Sequence, residues 1–221
     1  GGEKPVRTLS IDAIRQRLQT IHRHGIQNVR VLDRTFNFNP RRAKELLNLF
    51  LEFHPHIRFH LEIHPALLSE ELKSELQKLP KGLLHLEAGI QSLREPVLEK
   101  CRRLGKLSDA LEGLKFLCSL DNMETHADLI AGLPLYRLNE IFEDILSLAE
   151  YQAGEIQLES LKLLPGTEMR RRAEELGIRY SPLPPYEVLQ THEITTDELQ
   201  VARRLSRLLD AFYNTPAWQA L

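Results

Sequence analysis

The sequence predicts an α/β fold in which parallel strands alternate with helices to form part of a (β/α) barrel. Three observations carry that reading. Short apolar runs suited to strands alternate with helical periodicities from one end of the chain to the other. Capping residues and glycines punctuate the boundaries. Every candidate strand runs into polar or glycine-containing residues, and parallel β/α folds place their sites at those carboxyl ends.

The elements follow in order. Ser10 caps a helix with Ile11, Ile14, Leu18 and Ile21 on one face, ended by Gly25. Residues 28–32 form a short strand. Asn39 and Pro40 start a second helix with Ala43, Leu46, Leu47 and Phe50 inward. Residues 57–63 are the next strand, and Ser69 caps a helix carrying Leu72, Leu76 and Leu79. A third strand spans 83–89. Helical segments start at Pro96 and Ser108, the latter with Ala110, Leu111, Leu114 and Leu117 inward. Residues 125–131 form the fourth strand. Leu138, Ile141, Ile145 and Leu148 mark a helix, and 155–163 is the fifth strand. Thr167 caps a helix reaching Leu176, closed by Gly177. The run Ser181-Pro182-Leu183-Pro184-Pro185 reads as a stiff extended connector. Thr196 then caps a last helix with Leu199, Ala202, Leu205, Leu208 and Phe212 inward.

Alternation of this kind implies right-handed crossovers and a parallel sheet. Five strands do not close an eight-stranded barrel, so the expectation is a partial TIM-like barrel over residues 3–180, with a Pro-rich connector and helical segment over 181–221. Because the chain opens on a helix, a first strand is expected to be missing. The opening Gly1-Gly2 without methionine fits a processed tag or a trimmed chain.

Bulk properties exclude some classes. The 221 residues suffice for a sizeable core, and 42% hydrophobic with 27% charged is an ordinary composition for a water-soluble domain. A net charge of −2 gives no argument for nucleic acid or an anionic membrane. No apolar run approaches the ~20 residues of a membrane span, and no signal-peptide pattern opens the chain. The two cysteines, Cys101 and Cys118, fall in apolar helical patterns and read as core residues of a cytoplasmic protein. The run Arg170-Arg171-Arg172 sits among Glu168, Glu174 and Glu175, a solvated face rather than a nucleic-acid footprint.

The strand ends collect the candidate site. The first is followed by Asp33-Arg34-Thr35-Phe36-Asn37, the second carries Glu62 and runs into His64-Pro65, and the third gives Glu87 and then Gly89-Ile90-Gln91-Ser92. The fourth holds Asp128 before Gly132-Leu133-Pro134, and the fifth offers Lys162 before Pro165-Gly166-Thr167. Each alone has a structural reading as a turn or cap; together they favour a ligand site on one face. Buried carboxylates at Glu62 and Asp128 require donors, which a ribose diol or an ammonium supplies. Gln91 both donates and accepts, and Arg103 suits a bidentate carboxylate, although it could equally pair with Glu62 or Glu99. A zwitterionic amino acid joined to a ribose satisfies all four groups.

Histidine-based metal binding is not expected. Of the nine histidines, His60 and His64 lie four residues apart on one strand, ~13 Å and too far to share an ion. His54 and His56 fall in a loop, and His22 and His24 cannot share a helical face.

These residues also carry a resemblance. Asp128-Leu-Ile-Ala-Gly-Leu-Pro134 resembles the fifth-strand motif of radical S-adenosylmethionine enzymes, especially the oxygen-independent coproporphyrinogen oxidase branch. Glu62-Ile-His-Pro65, Gly89-Ile-Gln-Ser92 and the helix Leu98–Arg103 are similar to further motifs of that branch. The resemblance implies that Glu62, Gln91, Arg103 and Asp128 contact S-adenosylmethionine; Arg102 adjoins and competes for the arginine role. The segments Leu32–Asn37, Leu161–Thr167 and Pro184–Val188 resemble a bacterial group whose members carry a cobalamin-binding domain upstream and a helical domain downstream. Asp33, Asn37, Ser92 and Lys162 would then line the substrate side. The family's Cys-x-x-x-Cys-x-x-Cys loop, which binds a [4Fe–4S] cluster, is missing from the chain. In the family group that loop precedes the segment matching Glu3-Lys4-Pro5-Val6-Arg7, so the chain is read as starting after it, or else as a degenerate homologue.

The leading expectation is therefore the core of a radical enzyme that, when intact, reductively cleaves S-adenosylmethionine to a 5′-deoxyadenosyl radical acting on a small-molecule substrate, with a possible cobalamin partner domain. The fragment alone is expected to be inactive and to bind S-adenosylhomocysteine weakly. Two alternatives stand beside it: a catalytically degenerate S-adenosylmethionine-binding module, and a non-radical TIM-like hydrolase or lyase using Glu62 and Asp128. No catalytic residue and no substrate follow from the sequence.

Overall fold

The computed structural model describes residues 8–33 and 35–215; Arg34 and the Glu3–Arg7 segment lie outside the described residues. The elements are α1 (Ile11–Arg23), β1 (Asn28–Val31), α2 (Pro40–Leu51), β2 (Arg58–Ile63), α3 (Glu70–Lys78), β3 (Leu84–Gln91), α4 (Glu95–Lys100), α5 (Leu107–Cys118), β4 (Glu124–Ala131), α6 (Leu138–Glu150), β5 (Glu155–Ser160), α7 (Glu168–Arg171), β6 (Arg179–Tyr180), β7 (Val188–Gln190) and α8 (Thr196–Leu208). The first five strands form one parallel sheet in sequence order, β1-β2-β3-β4-β5. This is the predicted partial barrel.

Local chemistry sets the helix starts. Ser10, Asn39, Ser69 and Thr167 each accept a hydrogen bond from a backbone N–H of the first turn. Period-two alternation then splits the sheet into two faces. Phe59, Leu61, Leu84, Leu86, Ala127, Leu129, Ile156 and Leu158 point to the helices and are buried in one continuous core. The opposite face carries Arg58, His60, Glu62, His85, Glu87, His126, Asp128 and Gln157. One tight fit holds the outer layer: at Gly113 of α5 a Cβ would stand 2.2 Å from the Pro65 carbonyl oxygen, so only glycine lets α5 approach the end of β2.

Several expectations are corrected. The third strand runs on to Gln91, whose φ of +75° turns the chain out of the sheet. The fifth strand stops at Ser160; Leu161 still donates to Ala131, but Lys162 bridges antiparallel to Glu187. The helix expected over 167–176 is regular only through Arg171 and continues as turns to Gly177. The proline run is a turn, not an extended connector: it joins β6 and β7, which pair antiparallel, and Ser181 donates to Glu187. The expected boundary at 180/181 thus falls inside a hairpin. Arg170 of the basic run stacks between Tyr180 and Tyr186, with its guanidinium carbon 5.0 and 4.8 Å from the two ring centroids. The cap of α8 is Thr195 in a capping box with Glu198, because the acidic partner must sit three residues on. Leu199 and Ala202 are buried, but Leu208 and Phe212 stay half exposed.

The C-terminal segment closes the free edge of β5. Following α8, the Asn214 side chain accepts from Ile156 N–H (2.9 Å) and donates to Ile156 C=O (3.0 Å), and the Tyr213 hydroxyl donates to the Ala153 carbonyl (2.6 Å). A side-chain amide here substitutes for a neighbouring strand, satisfying an otherwise open edge.

Two polar clamps fix the loops at the carboxyl ends. Buried Asp144 of α6 accepts from the Tyr136 hydroxyl (2.5 Å), Leu93 N–H (2.7 Å), Arg94 Nε (2.8 Å) and the Ser92 hydroxyl (3.3 Å), tying the loops after β3 and β4 to one helix. Asn37, also buried, donates to His64 C=O (2.9 Å) and accepts from His64 N–H (2.8 Å), tying the turn after β1 to the end of β2.

Asp144→Ala leaves the Tyr136 hydroxyl, Ser92 hydroxyl and Leu93 N–H without their acceptor and removes one of the two carboxylates on the half-buried Arg94. We expect a loss of ~3 kcal/mol in denaturant unfolding, where an exposed pair would cost under ~1 kcal/mol. His64 gives a pH test. Burial first, and Arg103 second, lower its imidazole to about 4 from the usual 6.5. Its neutral form is therefore stabilised in the folded state. That stability is complete above the unfolded value and is lost as pH falls toward 4, ~3 kcal/mol at most. The difference between wild type and His64→Asn in urea unfolding should therefore shrink or reverse from pH ~7 to pH ~4; a constant difference would refute the assignment.

Candidate functional site

The polar face of the sheet is an ordered lattice. Register places Arg30, His60, His85 and Glu124 side by side, and one level higher Glu62, Glu87, His126 and Glu155. Above these, Gly89, Asp128 and Gln157 align. Neighbouring side chains pair laterally: Arg30 with Glu87, Arg58 with Glu124, His60 Nε2 with Glu87 at 2.8 Å, and His85 Nε2 with His126 Nδ1 at 2.8 Å. Burial would raise the Glu87 carboxyl, but contacts from His126 and His60 and the charge of Arg30 outweigh it and hold it low. His85 is lowered to about 4 by burial first, then by His126, His60 and Arg58.

Asp128 departs from this pairing. Its side chain is 13% exposed, and its buried Oδ1 has no hydrogen-bond partner among the described residues. Burial first, and Glu87 second, raise its carboxyl far above the usual range. Around it stand the other predicted groups. Arg103 reaches in from the turn after α4 and donates to Gly89 C=O at 2.6 Å, with Asp128 acting on it electrostatically. A Cβ at Gly89 would lie 2.9 Å from Gln91 Nε2 and 3.3 Å from an Arg103 nitrogen, so the missing side chain leaves the space into which both groups point. Glu62 stands beside Glu87 in the register and adds its charge to that felt by Asp128. Glu62, Gln91, Arg103 and Asp128 are thus brought together. Arg102 turns away with φ +54° and pairs with Glu168 on the outside, which separates the two arginines.

The other candidates are not brought together. Asn37 and Ser92 are spent in the two clamps, with every described contact internal. Asp33 is exposed beyond β1, and Lys162 pairs with Glu159 at 3.6 Å near α8. Cys101 and Cys118 are free thiols, each raised to about 11 by burial.

Sequence reasoning missed Asp144 and Tyr136, and it missed the partners of His60. Three successive strands repeat histidine-x-acid: His60-Leu61-Glu62, His85-Leu86-Glu87 and His126-Ala127-Asp128. That repeat was the available signal. Because β4 is offset by two residues, His126 lies beside Glu87 and the three rings cluster, with centroids 4.7–5.4 Å apart.

Comparisons with known proteins agree with this architecture. Among curated proteins none matches. The C-terminal residues 174–220 match a family described as a protein of unknown function (DUF4080). Solved structures align at low identity and so support the fold. The radical S-adenosylmethionine methyltransferase TsrM from Kitasatospora setae, with cobalamin and a [4Fe–4S] cluster bound, aligns with a TM-score of 0.64 at 17% identity, over 86% of this chain and 40% of its own. TsrM with tryptophan and a S-adenosylmethionine analogue bound gives 0.62 at 19% identity, over 78% and 35%. Coproporphyrinogen III oxidase (HemN) from Escherichia coli, a radical SAM enzyme, gives 0.53 at 14% identity, over 88% and 50%. The chain therefore spans half or less of the length of these proteins. The family model of the Radical SAM superfamily matches residues 1–149, well over half of the chain, and with the parallel sheet and the polar strand ends this establishes that the chain belongs to the radical SAM superfamily.

Proposed function

We propose that this chain is the core of a radical S-adenosylmethionine oxidoreductase or methyltransferase and that Glu62, Gln91, Arg103 and Asp128 hold the cofactor. The observation that carries the proposal is the orphaned, buried Asp128 oxygen beside Gly89, where the absent side chain lets Gln91 and Arg103 draw in. A buried acceptor of this kind costs stability unless a ligand donor reaches it, and a ribose hydroxyl is such a donor. Arg103 offers the fork that grips a carboxylate, Glu62 suits an ammonium or a second hydroxyl, and Gln91 serves either partner. Reduced by one electron, S-adenosylmethionine supplies the carbon radical that abstracts hydrogen from substrate.

The residues of this chain do not fit the [4Fe–4S] cluster. Both thiols are held protonated by burial, and two cysteines cannot supply three thiolates. The cluster, and a cobalamin, would be held by parts of the protein outside this chain; the likeness to TsrM with both bound supports that view. Asp33 and Lys162 remain the substrate-side candidates, while Asn37 and Ser92 position loops. No helix among the described residues is long and apolar enough to cross a membrane, and a cytoplasmic setting suits the free thiols.

In the full-length protein, anaerobically reconstituted and reduced, S-adenosylmethionine should yield 5′-deoxyadenosine or S-adenosylhomocysteine. Arg103→Ala and Asp128→Asn should each lower kcat/KM for S-adenosylmethionine ~100-fold, or ~3 kcal/mol, while Arg102→Ala stays within about twofold. Wild-type kinetics in both variants would overturn the site. Neither product from cluster-loaded wild type would overturn the activity.

A further inference from the structure

The histidine cluster lies below the proposed cofactor face and is not used by it. One nitrogen each from His60, His85 and His126 falls within 4.8 Å of the others, the convergence required of ligands to a single ion. The residues come from β2, β3 and β4, so the sheet itself fixes their spacing. His126 is 2% exposed; its Nδ1 faces the cluster, and its Nε2 faces Asp128 and Glu87 at 3.5 and 3.7 Å. Two of the imidazoles carry a carboxylate at a ring nitrogen: Glu87 at 2.8 Å from His60 Nε2 and Glu124 at 3.3 Å from His85 Nδ1. Carboxylates so placed orient metal-binding histidines and raise their basicity. A depression of about 340 Å³, lined by Asn28, Arg30, Arg58, His60 and His85, provides a route in from the amino ends of the strands.

An apolar filling would pack this interior without desolvating four charged side chains. Arg30 and Arg58 balance Glu87 and Glu124, with the three imidazoles between them. Imidazole donors favour zinc, cobalt, nickel or copper over magnesium or calcium.

We propose that His60, His85 and His126 form a binding site for one divalent transition-metal ion, oriented by Glu87 and Glu124 and separate from the proposed S-adenosylmethionine contacts. Arg58 lies 2.9 Å from His85 Nδ1, and His85 Nε2 lies 2.8 Å from His126 Nδ1. The ion replaces the second of these contacts and leaves Arg58 to its existing partner Glu124.

The test is titration of the metal-stripped 221-residue chain, without an affinity tag, with Co²⁺ and Zn²⁺. One Co²⁺ per chain should bind with the visible ligand-field bands of nitrogen coordination, and Zn²⁺ but not Mg²⁺ should raise Tm. Glu87→Gln, which keeps the shape of the site, should weaken binding ~10–100-fold, and His60→Ala should abolish the bands. No stoichiometric binding to wild type would overturn the proposal. Binding unchanged in both variants would also overturn it, assigning the ion to surface histidines such as His22 or His54. Should a variant fail to fold, zinc-edge X-ray absorption on wild type decides: two or more imidazoles support the site, and one or none refutes it.

Discussion

The rest of the structure depends on how the inner face of the sheet disposes of its charge. Helices cover the other face, so period-two alternation commits every second residue of β2, β3 and β4 to a partly enclosed polar layer. Charges there are costly unless paired. Lateral pairing across strands answers that cost: Arg30, His60 and His126 surround Glu87, while Arg58 and His85 meet Glu124. Strand register does the pairing, since a slip of one residue would send this whole set into the core and the leucines into the polar layer.

The same sheet has two vulnerable places, its outer edge and its carboxyl-end loops, and the chain treats them with buried polar groups rather than added apolar contact. At β5, Asn214 supplies both a donor and an acceptor to Ile156, the pattern a sixth strand would provide. At the carboxyl ends, Asp144 gathers four donors and fixes the loops that lead out of β3 and β4. Asn37 performs the corresponding task between β1 and β2. Ser92 of the first clamp directly follows Gln91, so the turn that leaves β3 is fixed close to where Arg103 donates to Gly89.

Much of the fold was legible in the sequence because its signals are local. Ser10, Asn39 and Ser69 mark helix starts by hydroxyl or amide chemistry, and strand alternation shows which residues share a face. The failures share a cause, which is pairing at a distance. The fifth strand is cut short because Lys162 and Glu187 meet across the chain, and the proline run becomes a hairpin because Arg179 and Gln190 pair. The site divides in the same way. Glu62, Gln91 and Asp128 are visible as polar residues at strand ends, Arg103 was suggested by the resemblance of 98–103, and the turn after α4 separates it from Arg102. His60 was compared with His64 on its own strand, whereas its neighbours are His85 and His126 on others; no spacing within one strand encodes that. Asn37 and Ser92 looked like site residues because a loop clamp and a ligand contact demand the same short polar side chains.

Asp128 and His126 occupy one strand two residues apart, and their side chains face each other: His126 Nε2 is 3.5 Å from Asp128 Oδ1, and both atoms lack a hydrogen bond. The lateral pairing of the inner face is thus incomplete where β4 passes from His126 to Asp128. Moving His126 toward Asp128 would satisfy both atoms and break the bond to His85; leaving it in place preserves that bond and keeps the Asp128 oxygen open. The structure takes the second course, and the Asp128 oxygen is left without a hydrogen bond across from Gly89 in the register. A donor arriving there does not compete with an internal partner. An unmet acceptor in that position costs stability that a ligand donor would restore, and that cost is the ground on which Asp128 is proposed to contact the cofactor.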